Sequence, residues 1–329
     1  MNYYLGVDAG GSKTHCLLVN EMGETLGRGA SGNGNHQTNP RHAGHNIASA
    51  CNQALREAGL SVHDITHAYF GLAGADREAD YRILRPMIAE LNYPNYSIAC
   101  DTMIAMRAGT DRPYGAVIIS GTGFNAAARN RAGEELQYGG FGFLFGDGQG
   151  SGRDLANFAF RSAVRAWDRR GKPTLLTNLV LKETGFVSVP QMLDAVLDEG
   201  YTPSLELARL MFEAAEQGDE VATSILVEQG VELGNAAAAL IVRLGMEQEE
   251  FNVVLGGSIL SKVRTDVMRD AIKRRLRLTA PKATITRITM DPVAGAVLSA
   301  MDQVGQEISP QVMQNLSHVS FSDLKGEVQ

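Results

Sequence analysis

Apolar and polar positions along the first hundred residues fall into short blocks. Residues 4–7 form an apolar run that stops at Asp8, a glycine pair follows at Gly10 and Gly11, and a second apolar run covers residues 16–19. The pattern predicts strand, tight turn, strand, because glycines take backbone angles that other residues avoid and leave a turn bare of side chains. A third strand is expected near residues 25–30, followed by SGNGNHQTNP, a loop too rich in Asn and Gly to pack a core. Residues 41–58 place Ile47, Cys51, Leu55 and Ala58 near helical spacing. Residues 68–73 read as a buried strand, 76–91 as a helix, and 96–100 as a strand that ends on Asp101. Strands alternating with helices describe an α/β domain with helices on both faces of its sheet.

The plan then repeats. GSKTHCLLVNEMGETLGRG, starting at Gly11, faces GTGFNAAARNRAGEELQYG, starting at Gly121, an offset of 110 residues. Gly11/Gly121, Asn20/Asn130, Gly23/Gly133, Glu24/Glu134, Leu26/Leu136 and Gly29/Gly139 coincide. Such self-similarity implies two related domains, each with one glycine hairpin. The polar joint at 111–115 sets the boundary, giving domains at 1–114 and 115–303 and a polar surface appendage at 304–329. In the second domain a capping box, Ser151 with Asp154, opens a helix through Trp167 that Gly171 terminates. Ser188 with Gln191 opens another helix, Ser204 a third, and residues 219–244 form one long, alanine-rich helix. A strand at 253–255 runs into Gly256-Gly257, followed by a basic helix at 261–276 and a strand at 283–288. A last helix, at 291–303, is capped by Asp291 with Pro292 at its first position and is expected to pack back on the first domain.

Composition narrows the function. With 329 residues and 44% hydrophobic content, two domains can each bury a core. A net charge of −7 argues against a nucleic-acid surface, and the basic run 273–277 reads as a solvated helix face. Cys16, Cys51 and Cys100 have no paired spacing, which fits a reducing cytosol and buried thiols. No apolar segment reads as approaching 18 residues and no signal peptide is recognised, so a soluble, cytoplasmic protein without membrane contact is expected.

A bare turn whose N–H groups point one way is an anion cradle, with phosphate the chief candidate. Two such hairpins would hold a polyphosphate between domains. A dinucleotide fingerprint would need a helix directly after the glycines, and Gly11-Ser12-Lys13 has the wrong order for a Walker loop. Ligands of open α/β sheets bind where strands end, and Asp8, Asp101 and Asp147 stand at such ends. Each carboxylate has two readings: Asp8 as metal ligand or turn former, Asp101 as proton acceptor or helix cap, Asp147 as ligand contact or turn residue. Lys13 is read either as a phosphate contact or as a solvated side chain. His36 reads as a loop residue, because the sequence gives it no orienting partner, and His15 as core or edge. Glycine cradles beside strand-end acids are the parts of a kinase or ATPase on a duplicated actin-like, RNase H-like fold, with nucleotide in the interdomain cleft.

Residues 4–14 (YLGVDAGGSKT), 70–76 (FGLAGAD), 100–102 (CDT), 118–125 (IISGTGFN), 139–152 and 255–258 resemble, in order, the N-acetylglucosamine kinase family. That family stands in the superfamily of sugar kinases, actin and related ATPases, beside the ATPase activators of 2-hydroxyacyl-CoA dehydratases and benzoyl-CoA reductases. The resemblance covers about residues 1–300. It implies ATP and Mg2+, with Gly10, Gly11 and Ser12, next to Lys13, as the first phosphate loop and Asp8 near magnesium. Gly121, Thr122 and Gly123 match the second phosphate loop, Gly256 and Gly257 the adenosine loop, and Ala215 a segment lining the nucleotide site. Asp101 matches the base that takes the proton of the sugar 6-hydroxyl, and Asn35, Gly140, Phe141, Gly142 and Asp147 match positions binding the amino sugar. A homodimer is implied as well.

Two departures stand out. The family's Gly-Asp-Glu-Gly-Ser is one residue longer here, at 146–151, which shifts Asp147 relative to the helix at Ser151. Phe141 and Phe143 stand where the family often has Trp and His; the resemblance implies N-acetylglucosamine as the sugar, with N-acetylmuramic acid, which an apolar wall would suit, or glucosamine as alternatives. An iron–sulfur ATPase activator and a non-catalytic nucleotide- and sugar-binding relative are the alternatives.

Overall fold

The computed structural model describes residues 1–147, 149–261 and 265–321. The first half builds a sheet from β1 (Tyr3–Ala9), β2 (Thr14–Asn20), β3 (Thr25–Ser31), β4 (His67–Leu72) and β5 (Tyr96–Cys100), in the order β3-β2-β1-β4-β5. The second half repeats it with β6 (Gly115–Ser120), β7 (Phe124–Arg129), β8 (Glu135–Gly139), β9 (Asn252–Gly256) and β10 (Thr284–Arg287), in the order β10-β9-β6-β7-β8. Within each half the hairpin strands are antiparallel and the remaining strands run parallel to the first.

The duplication extends to single bonds. Asn20 Oδ1 accepts from the N–H of Met22 and Glu24, both at 3.0 Å, while its amide donates to Glu24 Oε2 at 2.7 Å. Asn130 does the same with Ala132, Glu134 and Glu134 Oε2, at the same distances. The glycine turns differ by one residue. Pairing of Ala9 with Thr14 leaves residues 10–13 in the first turn, whereas Ser120 with Phe124 leaves 121–123 in the second. Gly10, rather than Gly11, is therefore the counterpart of Gly121, and each donates its N–H across its turn at 2.9 Å.

Between the sheets lie α3 (Asp101–Arg107) and α11 (Pro292–Gln303). Their side chains share one core with Tyr4, Leu17 and Tyr69 of the first sheet and Val117, Ala127 and Val254 of the second. Close approach explains two glycines: a Cβ at Gly6 would lie 2.6 Å from Val297 N, and one at Gly295 would lie 2.0 Å from Ile104 O. Arg107, 2% exposed, donates from Nε to Asp302 Oδ2 at 2.7 Å and from Nη1 to Thr110 O at 2.7 Å, joining both helices to the crossover between halves. Outer layers are α1 (Pro40–Ala58) and α2 (Glu78–Ala89) on the first sheet, and α4 (Gly152–Trp167), α5 (Leu176–Thr184), α6 (Val189–Asp198), α7 (Leu207–Glu216), α8 (Glu220–Arg243), α9 (Ser258–Ser261) and α10 (Val267–Arg277) on the second.

Several expectations change. Helix α5, which starts without a side-chain cap and ends on left-handed Gly185, is absent from the sequence expectations. The expected basic helix is two helices, α9 and α10, and residues 262–264 between them lie outside the described residues. Helix α8 is long and apolar enough to cross a membrane by length and composition, contrary to the sequence reading. In the structure it is a core helix whose Gly230 and Gly234 let α10 approach closely, and Leu226, Leu233 and Leu240 are buried. The segment read as a surface appendage holds α12 (Pro310–Ser317), whose Val312 and Leu316 join the inter-sheet core together with Phe321. Its apolar positions are too few to show a period, and residues 322–329 of the expected tail lie outside the described residues.

Candidate active site

Asp8, the penultimate residue of β1, lies opposite Gly71 of β4, Leu72 pairs with Cys100 of β5, and Asp101 follows at once as the first residue of α3. The parallel strands thus deliver both acids to the C-terminal edge of one sheet. Asp8 is half-exposed, yet burial of its carboxyl pushes its pKa up to about 7. Repulsion from Asp101 and Asp291 adds to the rise, and the ammonium of exposed Lys13 opposes it. Burial also raises the Asp101 pKa; the Cys100 thiol, donating at 3.2 Å, opposes that rise, and the Asp76 carboxylate reinforces it. A carboxyl shifted towards neutrality is suited to accept a proton in catalysis.

Asp291 was expected to cap α11. It occupies the N-cap position, but its side chain makes no capping bond, and its charge is felt at Asp8. Among the described residues no three His, Cys, Asp or Glu side chains form a ready metal cage. Mg2+ is commonly held by one or two carboxylates plus water and phosphate oxygens, so Asp8, with Asp291 beside it, suits that ion and does not need a cage.

The first glycine turn is exposed at Gly11, Ser12 and Lys13, and a Cβ at Gly11 would meet nothing within 4 Å. Gly34 N donates to Gly10 O at 2.9 Å, tying this turn to the loop that carries Asn35. Asn35 Oδ1 accepts from Gln37 N at 2.8 Å. His36 has the orienting partner the sequence did not reveal: it is 2% exposed, with Nε2 3.3 Å from Asp80 Oδ1 of α2, and its buried Nδ1 has no partner. Asp80 also takes Arg77 Nε at 3.0 Å, and these bonds hold its carboxyl below the usual range despite burial. Gln37 Nε2 reaches Gly74 O at 3.3 Å, so the 32–39 and 73–77 loops meet.

In the second half, Gly121 and Gly123 present open space where a Cβ would stand. The carbonyls of Gly121 and Thr122 are turned onto the start of α4, accepting from Gly152 N at 2.7 Å and Arg153 N at 3.3 Å. Gly256 pairs with Ile119 at the end of β6, and Gly257 has φ +84 with Ser120 O 2.2 Å from a notional Cβ. Both glycines of the expected adenosine loop are thereby packed against the strand that leads into the second turn. Ala215 sits in the last turn of α7, half-buried against the second core. Asn125, on β7 beyond the turn, has a buried Oδ1 without a partner, an acceptor available to a hydroxyl or amide N–H. Sequence reading assigned it no role.

Gly140, Phe141 and Gly142 lead from β8 into an exposed loop. Asp147 Oδ2 accepts from Phe141 N at 2.8 Å and Gly142 N at 3.1 Å, so this acid shapes its own loop. Beside it lies a cavity of about 300 Å³ walled by Phe124, Tyr138, Phe141, Phe145, Asp147 and Glu232. Gly148, the added residue, lies outside the described residues. Across the cleft, Gln137 of β8 donates to Asp76 Oδ1, which places Asp76 between the two halves and near Asp101.

Two five-stranded sheets of one topology, sandwiching paired helices and presenting glycine turns at their strand ends, define the duplicated actin-like fold of sugar kinases and related ATPases. The ROK hexokinase from Thermus thermophilus has this fold, with a TM-score of 0.60 at 17% identity over 93% of this chain and 100% of that one. This chain belongs to the BadF/BadG/BcrA/BcrD ATPase family, whose model matches residues 5–300. It is 29% identical over 307 residues to the N-acetylmuramic acid/N-acetylglucosamine kinase of Clostridium acetobutylicum, covering 92% of this chain and 99% of the relative. It is also 29% identical over 318 residues to the N-acetyl-D-glucosamine kinase of Dictyostelium discoideum, covering 91% and 98%.

Proposed function

We propose that the protein is an ATP-dependent amino-sugar kinase that transfers the γ-phosphate to the 6-hydroxyl of N-acetylglucosamine. The observation that carries this reading is Asp101, a half-buried carboxyl with a raised pKa at the edge where the first glycine turn, the Asn35 loop and Asp8 also end. Phosphoryl transfer asks little covalent chemistry of a protein; positioning, charge neutralisation and a proton acceptor suffice. In this reading Asp101 accepts the proton of the sugar hydroxyl, while the turns at Gly10–Lys13 and Gly121–Gly123 take phosphate oxygens on their N–H groups. Magnesium held through Asp8 would neutralise phosphate oxygens. Kinases with these names among the relatives support the substrate class.

N-acetylmuramic acid is a second candidate acceptor, since one relative is a kinase named for both sugars. An iron–sulfur activator would need accessible cysteine ligands, whereas Cys16, Cys51 and Cys100 are buried. ADP release measured over a panel of hexoses and amino sugars tests the reading. Release that depends on N-acetylglucosamine is expected. Release indifferent to sugar would instead indicate an activator, and none at all a binding relative.

A further inference from the structure

The loop between β8 and α4 carries Gly140, Phe141, Gly142 and Asp147, and its far end is fastened to the second glycine turn. Ser120, fully buried as the last residue of β6, donates from Oγ to Gly150 O. Gly152 N and Arg153 N reach Gly121 O and Thr122 O. The preceding peptide, through the N–H of the same residue, is gripped by α8. Gly150 N donates to Gln229 Oε1 at 2.5 Å, and Gln229 Nε2 donates to Gln149 Oε1 at 3.1 Å. Gly150 has φ +83, and a Cβ there would stand 2.5 Å from Leu233 Cδ2, so this residue is wedged between β6 and α8.

Gln229 is 1% exposed in a helix whose buried neighbours include Leu226, Gly230 and Leu233. A buried amide costs stability unless its polar atoms are bonded, and an apolar side chain would satisfy the core without that cost. Here both ends of the amide are spent on the segment next to the added residue.

We propose that Gln229 is a positioning residue that, with Ser120, couples loop residues 139–147 to the second phosphate turn. The proposal rests on the kinase reading of those two loops. A shift of residues 121–123 on meeting phosphate is carried through Ser120 to Gly150, and Gln229 supplies the fixed point against which Gly150 re-aims the loop. Nucleotide then raises sugar affinity, and sugar raises nucleotide affinity by the same factor.

Calorimetric titration of the full chain with N-acetylglucosamine, with and without saturating magnesium-AMPPNP, reads this coupling. In the wild type the nucleotide analogue is expected to tighten sugar binding by about 5-fold or more. Gln229→Met is expected to keep each separate Kd within about 2-fold, yet to reduce the coupling to about 2-fold or less, on the same scale. Ser120→Ala removes a single oxygen and should lower the coupling likewise, which decides the matter if the Met variant does not fold. Gln149→Ala leaves the grip on Gly150 intact and should keep the coupling. Full coupling in Gln229→Met, or in Ser120→Ala where that variant decides, overturns the proposal alone, as does a wild type that binds both ligands without coupling. A wild type that binds no amino sugar overturns the kinase reading with it.

Discussion

Asp8 shows what one residue in this cleft costs. Burial pushes its carboxyl up to about 7, well above the ordinary range of an exposed aspartate, so the folded state holds its proton over the intervening pH range. Its contribution to stability is fully present below about pH 4 and is lost as pH rises through about 7. Asp8→Asn removes that loss. In ligand-free protein, the variant is expected to melt higher than wild type at pH 8, with the gain shrinking as pH is lowered to 5; thermal melts at several pH values measure it. A gain that does not vary with pH would contradict the assignment. The positions of Asp8 and Asp101 were legible in the sequence because each directly follows an apolar run, Asp8 near the end of β1 and Asp101 just after β5. Asp76, Asp291 and the His36–Asp80 pair were not, since their roles are set by side chains supplied from elsewhere in the chain.

Among the elements, α3 and α11 set the geometry of the site, for one begins with Asp101 and the other at Asp291. Their crossing is locked by Arg107 and Asp302, whose side chains are 2% and 13% exposed. Removing one partner leaves a buried charge uncompensated, so Asp302→Ala is expected to cost about 3–5 kcal/mol in chemical denaturation. Arg107→Met combined with Asp302→Leu should cost less, because neither charge remains. A loss below about 1 kcal/mol for Asp302→Ala would show that the pair is not what holds the helices, since exposed pairs contribute only that much. Helices with a strong local start were legible: Ser151 with Asp154 and Ser188 both cap as their spacing suggested. The pairing of α3 with α11 was not, because the contact depends on Gly295 meeting Ile104, far apart in sequence.

At the scale of the whole molecule, duplication was the most legible feature. The Asn-x-x-Gly-Glu turns at Asn20 and Asn130 build the same bonds, and a local motif of that kind survives in sequence. How the halves meet was hidden, because it rests on scattered contacts such as Gln137 with Asp76 and Thr286 Oγ1 with Gly109 O. The proposed reaction uses the Asp101 carboxyl as proton acceptor between the two glycine turns. Steady-state sugar phosphorylation by Asp101→Asn, with nucleotide and sugar affinities determined on the same sample, tests that claim most directly. The expected result is a fall in kcat of about 10²- to 10⁴-fold with both ligands still bound. Turnover near the wild-type rate would contradict it.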